Sequence, residues 1–226
     1  MKIRRHHRWP TTYRQAVAIQ TRLRRRLVLT GSVRRPVLVA GADVSYSKSV
    51  DRVYAGVVLL SFPDMETLET IVLADKSPFP YIPGLLTFRE GPVLIRAFAR
   101  LQRRPDLVIF DGQGYAHPRR MGLAGHMGIL LGVPSIGCAK SRLIGEHAEP
   151  GPDVGDWSRL TDRGETIGRV VRTKVGVKPV YVSVGHLLGL AAATRLTLAC
   201  LRGFRLPEPT RRAHHLVSVF RAQDLN

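Results

Sequence analysis

The sequence has little of two features that mark secreted and membrane proteins. Only two of its 226 residues are cysteine, Cys138 and Cys200, which is too few for a disulfide framework. No uncharged apolar run reaches the roughly 20 residues of a membrane span, because Arg195 interrupts the best candidate, residues 187–201. The N-terminus is basic and lacks the apolar core of a signal peptide. We therefore expect a cytoplasmic protein that does not enter a membrane.

Acidic residues are also scarce. Asp and Glu number 17 against 35 Lys and Arg, so the formal net charge is +18. No acid precedes Asp43, and the segment before it carries these cations: Lys2, Arg4, Arg5, Arg8, Arg14, Arg22, Arg24, Arg25, Arg26, Arg34 and Arg35. A solvated arginine-rich surface is one interpretation, but arginine enrichment alone would not empty the segment of acids. The imbalance favours a polyanionic partner, nucleic acid before an anionic membrane surface.

The apolar pattern predicts a single α/β domain with a mixed sheet flanked by helices. Three strands come first in an antiparallel meander, at 36–46, 53–62 and 68–74. Later strands are predicted at 107–110, 135–138, 166–173 and 180–184. Helices are predicted at 9–29, 93–101, 123–131, 187–201 and 208–220, with Pro92 in the first turn of the second. The wholly apolar run 107–110 is typical of a strand buried on both faces, as in parallel sheets.

Two aspartates stand where carboxylates are costly without a positive partner. Asp43 interrupts an apolar strand, and Asp111 ends another. Carboxylates clustered at strand ends commonly hold Mg²⁺, which prefers oxygen ligands. The alternative for each aspartate is a cap on a turn. Glu90 has its own alternative, because Thr87 and Glu90 fit a capping box at a helix start.

Several motifs resemble the endonuclease V family, which contains deoxyinosine-specific repair nucleases. The most specific is residues 80–90, which read PYIPGLLTFRE. Others follow in family order: GADVSY at 41–46, DGQG at 111–114 with HPR at 117–119, GLA at 122–124 with His126, GCAKS at 137–141, VKPVYVS at 177–183 and LPEPTR at 206–211. The resemblance runs from about residue 9 to residue 220.

The resemblance implies a ribonuclease H-like fold and a site for Mg²⁺, with Mn²⁺ as a substitute. One domain would span residues 1–226, with a basic helix at about 9–29, the core at about 36–202 and a C-terminal helix at about 208–220. Asp43, Glu90 and Asp111 match the catalytic carboxylates. The first and last would be metal ligands, whereas Glu90 would complete the site or bind a metal-bound water. Lys140 and His117 match further active-site residues.

The resemblance also implies a substrate-binding set. Tyr81, flanked by Pro80, Ile82 and Pro83, matches a wedge that probes the strand beside a lesion. Gly84, Leu85 and Gly112 match positions around a pocket for a flipped base, and His214 matches a further histidine. A rigid aromatic between prolines suits stacking or wedging, because ordering it costs little entropy.

The expected activity is hydrolysis of the second phosphodiester bond 3′ to deoxyinosine or another deaminated base in DNA. The products would carry a 3′-hydroxyl and a 5′-phosphate, and the enzyme would be a monomer. Inosine-containing RNA remains the alternative substrate, because carboxylate chemistry does not distinguish the sugar. A non-catalytic nucleic-acid-binding protein is a weaker alternative, since binding alone gains nothing from acids facing phosphate.

Overall fold

An eight-stranded sheet with helices on both faces organises the chain. The computed structural model describes residues 1, 3–4, 6–47, 51–77 and 79–224, so the predicted cations Lys2 and Arg5 lie outside the described residues. The elements are α1 (Tyr13–Arg24), β1 (Leu38–Tyr46), β2 (Arg52–Ser61), β3 (Thr67–Lys76), α2 (Leu86–Ala99), β4 (Leu107–Phe110), α3 (Leu123–Leu131), β5 (Ser135–Ala139), β6 (Trp157–Asp162), β7 (Glu165–Val171), β8 (Val180–His186), α4 (Leu190–Ala199) and α5 (Glu208–Asp224). Within the described residues, no helix is long and apolar enough to cross a membrane.

The strand order is β3-β2-β1-β4-β5-β8-β7-β6. The meander β1–β3 is antiparallel, β4 and β5 add in parallel to β1, and β8, β7 and β6 return to antiparallel pairing. This mixed sheet confirms the predicted ribonuclease H-like fold. In the parallel pair, Ala42 lies opposite Phe110, so Asp43 and Asp111 follow at the same edge of the sheet.

The alternating sides of β1 face two different cores. Ala40 and Ala42 pack with α2 and α3, whereas Val39 packs with residues from α4 and α5. Gly41 shares the second face, and a Cβ there would lie 1.9 Å from the carbonyl oxygen of Pro209. Glycine at this position therefore lets α5 approach β1 closely, next to Asp43.

The second helix begins earlier than the sequence pattern predicted. It starts at Leu86 rather than at residue 93, so Pro92 lies inside the helix and not in its first turn. Leu85 is the N-cap and makes no side-chain capping bond, so the proposed capping box from Thr87 to Glu90 does not form. The prediction missed the first two turns because proline usually stands in the first turn of a helix, which put the predicted start near Pro92.

Further boundaries differ from the predictions. Helix α4 (Leu190–Ala199) is shorter than the predicted 187–201, and α5 runs to Asp224 rather than to about residue 220. The first helix begins at Tyr13, because the Thr12 hydroxyl accepts a bond from the Gln15 amide, and it ends at Arg24 rather than near residue 29. The edge strand β6 was not predicted at all. Leu160 is its only buried residue, so the strand carries almost no apolar alternation.

Candidate active site

Two aspartates and a histidine meet where β4 ends beside β1. Asp43 lies in β1 and is only 9% exposed, and Asp111 directly follows β4. His214 reaches them from α5, with its Nδ1 atom 2.6 Å from Oδ2 of Asp43. Each of the three offers one ligand atom, and these atoms lie within 4.8 Å of one another. The group has the composition and spacing of an acidic metal site.

The charges of this group are only partly balanced by the chain. Burial raises the pKa of Asp43, and the neighbouring charge of Asp111 raises it further, while His214 and Lys140 act in the opposite direction. Lys140, which follows β5, forms an ion pair with Asp111. Two carboxylates that repel each other in a buried position are the situation that a divalent cation relieves.

Glu90 approaches from α2, on the other side of β1. It is 7% exposed, and one carboxylate oxygen, Oε1, accepts a hydrogen bond from the hydroxyl of Tyr46. Burial raises the pKa of Glu90 to about 8, and the charges of Asp43 and Asp111 contribute. Glu90 is not part of the group whose ligand atoms lie within 4.8 Å, where His214 stands instead. The assignment of Glu90 as a direct ligand stays a prediction.

A cavity of about 370 Å³ opens beside these carboxylates. Its walls come from the loop before α2, the first turns of α2, the turn after β4 and the segment 139–143. Of the predicted site residues, the cavity brings together Tyr81, Pro83, Gly84, Glu90, Asp111, Gly112, His117 and Lys140. Asp43 and His214 do not line it, and neither do Pro80, Ile82 and Leu85.

The loop before α2, residues 79–85, is exposed at its tip and anchored at both ends. Tyr81 is 63% exposed, and Pro80 and Pro83 are exposed too. Ile82 packs on a buried cluster that contains Leu85, whose side chain is therefore in the core and not in the cavity. The next residue, Leu86, lines the cavity instead. We call this segment the recognition loop, after the role that the family resemblance implies for it.

Gly84 is the point where the recognition loop is fixed. Its φ of +77° is in the left-handed region that favours glycine. Its carbonyl oxygen accepts from Gln20 Nε2 at 3.0 Å and from Arg119 Nη2 at 2.7 Å. The ring of His117 binds the same oxygen through Nε2 at 2.9 Å. Three side chains from outside the loop thus set the position of one carbonyl group.

His117 is held as a neutral imidazole. Its Nδ1 accepts the Arg119 backbone N–H at 3.1 Å, so the proton is on Nε2, which donates to Gly84. Burial lowers the pKa of His117 to about 4, with the charge of Arg119 contributing. Both ring nitrogens are engaged with backbone groups, an arrangement that suits positioning of the recognition loop.

The sequence reasoning missed Tyr46 and Arg89. Tyr46 lies three residues after Asp43 in β1, so the strand pleat turns it to the opposite face, toward Glu90. Arg89 donates to the Phe79 carbonyl at 2.8 Å, and its guanidinium stacks 5.1 Å from the centre of the Tyr46 ring. The odd-even spacing of Asp43 and Tyr46 was the available signal. The partner on α2 was not readable from the sequence.

Other missed residues belong to the segment after β5. Arg142 and Leu143 line the cavity beside the predicted Lys140. Gln113 fixes this segment, because its side-chain amide donates to the Ser141 carbonyl at 3.0 Å. Gln113 stands inside the quoted DGQG motif, which was the signal that could have pointed to it.

The mixed sheet and the acidic site at its strand ends define a nuclease of the ribonuclease H-like class. The family model described as "Endonuclease V" matches residues 21–215 of this chain. The chain belongs to the endonuclease V family, as the sequence motifs predicted.

Named relatives agree over nearly the full length. An endonuclease V from Nostoc sp. (strain PCC 7120) is 47% identical over 219 residues, which covers 96% of this chain and 99% of the relative. The crystal structure of endonuclease V from Streptomyces avermitilis is 40% identical, with a TM-score of 0.92 and 96% of both chains covered. A Ciona intestinalis endonuclease V, solved with DNA that contains an inosine followed by a ribo-adenosine, is 25% identical, with a TM-score of 0.81 and coverage of 93% and 98%.

Proposed function

We propose that this nuclease cuts DNA beside deoxyinosine and other deaminated bases, at the second phosphodiester bond 3′ to the lesion. The observation that carries the proposal is the placement of the acidic group at the edge of a cavity whose other wall is the recognition loop. The relative from Ciona, which was solved with inosine-containing DNA, supports the substrate class. The net charge of +18 supports a polyanionic substrate.

Mg²⁺ fits the donor set of Asp43 and Asp111, and Mn²⁺ fits as a substitute. Carboxylate oxygens suit these ions, whereas imidazole ligands suit softer transition metals. His214 already bonds Asp43 through Nδ1, so we assign it to orienting that carboxylate. When bound, the ion would supply positive charge to the scissile phosphate and activate water.

The chain's own groups divide the remaining work. A water oxygen attacks phosphorus in line and gives up one proton, the bond from phosphorus to the 3′ oxygen breaks, and that oxygen takes up one proton. Glu90 has a pKa of about 8, so its free oxygen can exchange a proton with water near neutral pH. The Lys140 ammonium, paired with Asp111, stands where it can stabilise charge on the phosphate.

Recognition falls to the cavity and its loop. The volume of about 370 Å³ is within the range of sites that enclose a small ligand, and we assign it to the flipped base. Gly112, at a φ of +153°, lets the backbone approach that base. The exposed Tyr81 is free to stack on the strand that the base has left. Extrusion costs a few kcal/mol, and it costs least for a poorly paired base such as hypoxanthine.

One experiment tests the activity. Duplex DNA, single-stranded DNA and RNA of matched sequence, each with one inosine, are incubated with and without Mg²⁺. We expect a metal-dependent nick at the second bond 3′ to deoxyinosine, with a 3′-hydroxyl and a 5′-phosphate found by mass spectrometry. Free hypoxanthine would indicate a glycosylase, and a nick on the 5′ side would contradict the proposed position. Cleavage confined to RNA would establish the alternative substrate.

A further inference from the structure

A second hollow adjoins the cavity beyond Lys140. It encloses about 570 Å³ between the segment 140–142 and the loop 176–179 that precedes β8. The two hollows share Lys140, Ser141 and Arg142, so the segment 140–142 forms a wall of both. We call this second hollow the basic groove.

The walls of the basic groove are braced by two internal arginines. Arg172 donates to the Val177 carbonyl at 2.5 Å and to the Gly151 carbonyl at 3.1 Å. Arg205 donates to the carbonyls of Lys140 at 2.6 Å and Pro179 at 2.9 Å, which ties the two walls together. The groove is therefore built by the fold and does not need a ligand to shape it.

Two other cations of the groove are left for a ligand. The side chains of Arg142 and Lys178 are exposed, and among the described residues neither has a hydrogen bond or an ion pair. The acid that lines the groove, Glu149, is already paired with Arg172 at 2.6 Å. Arg142 and Lys178 are thus cations of the groove that no acid of the described residues pairs.

We propose that the basic groove binds the phosphates of the cleaved strand on the 3′ side of the scissile bond. The inference rests on the proposed function, which puts the flipped base in the cavity and the scissile phosphate at Asp43, Asp111 and Lys140. A strand that continues 3′ past Lys140 enters the groove, because the groove shares that wall of the cavity. Cations without base-reading partners hold a backbone regardless of sequence, so this contact adds affinity and not lesion preference.

The test measures the affinity gained by lengthening one arm of the substrate. Single strands with one inosine carry a 3′ arm of about 12 or about 3 nucleotides, on the scale of a single-strand binding site. Binding is followed by fluorescence anisotropy in metal-free buffer, so that no strand is cut. We expect the long 3′ arm to bind more tightly, and Lys178→Glu to remove at least about fivefold of that gain and to lower the salt slope by about one.

Arg100→Glu is the matched control, because it reverses a charge of the same sign at an exposed arginine, which lies at the end of α2. It should keep the gain from the long 3′ arm, and melting curves should show both variants folded. Equal loss in the two variants would overturn the proposal, as would a Lys178→Glu variant that keeps the full gain from the long 3′ arm.

The proposed function is tested separately with the same strands. Each is incubated with Mg²⁺ and compared with a strand that carries adenine in place of inosine. Absence of inosine-dependent cleavage would contradict the proposed function while the arm-length result still reports on the groove. If the protein cleaves beside inosine but binds the strands with long and short 3′ arms equally well, only the proposal for the basic groove is contradicted.

Discussion

The carboxylate centre and the recognition loop face one cavity but are held in different ways. Asp43 and Asp111 lie on or directly after central strands and are fixed by the sheet. The recognition loop is exposed at Tyr81 and is fixed mainly through the Gly84 carbonyl and the buried Leu85. The proposed function thus puts the chemistry, which needs fixed geometry, on the rigid scaffold and the probing of different bases on a loop. Substitutions in the two regions should therefore affect different steps.

The largest effect should come from the rigid region. Asp43→Asn removes a proposed metal ligand, so we expect cleavage to fall by roughly a thousandfold or more, since metal charge stabilisation is worth several kcal/mol. Inosine binding should remain, because the recognition loop is untouched. The metal-free variant should melt no lower than the parent, because a buried charge beside Asp111 has been removed. Single-turnover cleavage, anisotropy and melting in EDTA measure the three properties.

Asp64→Asn is the control for that experiment, because Asp64 is an exposed aspartate in the turn between β2 and β3. It should leave all three measurements unchanged. Substantial Mg²⁺-dependent cleavage by Asp43→Asn would show that the carboxylate centre is not the metal site, and a parallel loss of inosine binding would remove the distinction between the two regions.

The second effect concerns the pH dependence of stability. The pKa of Glu90 is about 8 in the folded chain, above its ordinary value of 4.5, so the unfolded chain releases this proton first. Stability is therefore highest below about pH 4.5 for this group and is lost as pH rises toward 8. Glu90→Gln should stabilise the metal-free protein by a few kcal/mol at pH 9 and by little at pH 4.5.

Urea unfolding at the two pH values, in EDTA, measures this difference. The conservative change keeps the size of the side chain and an acceptor for Tyr46. A constant difference between the proteins at both pH values would contradict the raised pKa. If the parent instead gains stability relative to Glu90→Gln as the pH rises, the pKa of Glu90 is lowered by folding and not raised.

The carboxylate centre and its surroundings also show what could and could not be predicted from the sequence. The family motifs led to Asp43, Glu90 and Asp111, and the apolar pattern gave α3 with the bounds that the structure has. The bond from Tyr46 to Glu90 and the grouping of His214 with the aspartates depend on how α2 and α5 pack against β1. Such contacts join residues more than forty positions apart, and no local pattern encodes them.

The third effect belongs to the recognition loop. Tyr81→Ala should lower the preference for inosine over matched DNA by about tenfold, since stacking on a base is worth roughly 1–3 kcal/mol. The cleavage rate of bound substrate should change less, because the carboxylates keep their positions. Tyr81→Phe retains the ring and should preserve the preference. Competition binding and single-turnover cleavage separate the two quantities, and an equal loss in both would place Tyr81 with the carboxylate centre.

The smallest effect should come from α1, whose buried face supports the recognition loop through Ala16. Two arginines of α1, Arg14 and Arg22, are exposed and face away from that contact. The sequence has no acidic residue before Asp43 that could balance their charge locally. If they lie along bound DNA, Arg14→Gln with Arg22→Gln should reduce the slope of log K against log salt by up to about two, with the inosine preference unchanged. The control is the double variant Arg100→Gln with Arg163→Gln, which removes the same amount of charge at two other exposed positions. The same slope in both double variants would mean that the arginines of α1 form a solvated surface, because counterions are released only where a cation meets a phosphate.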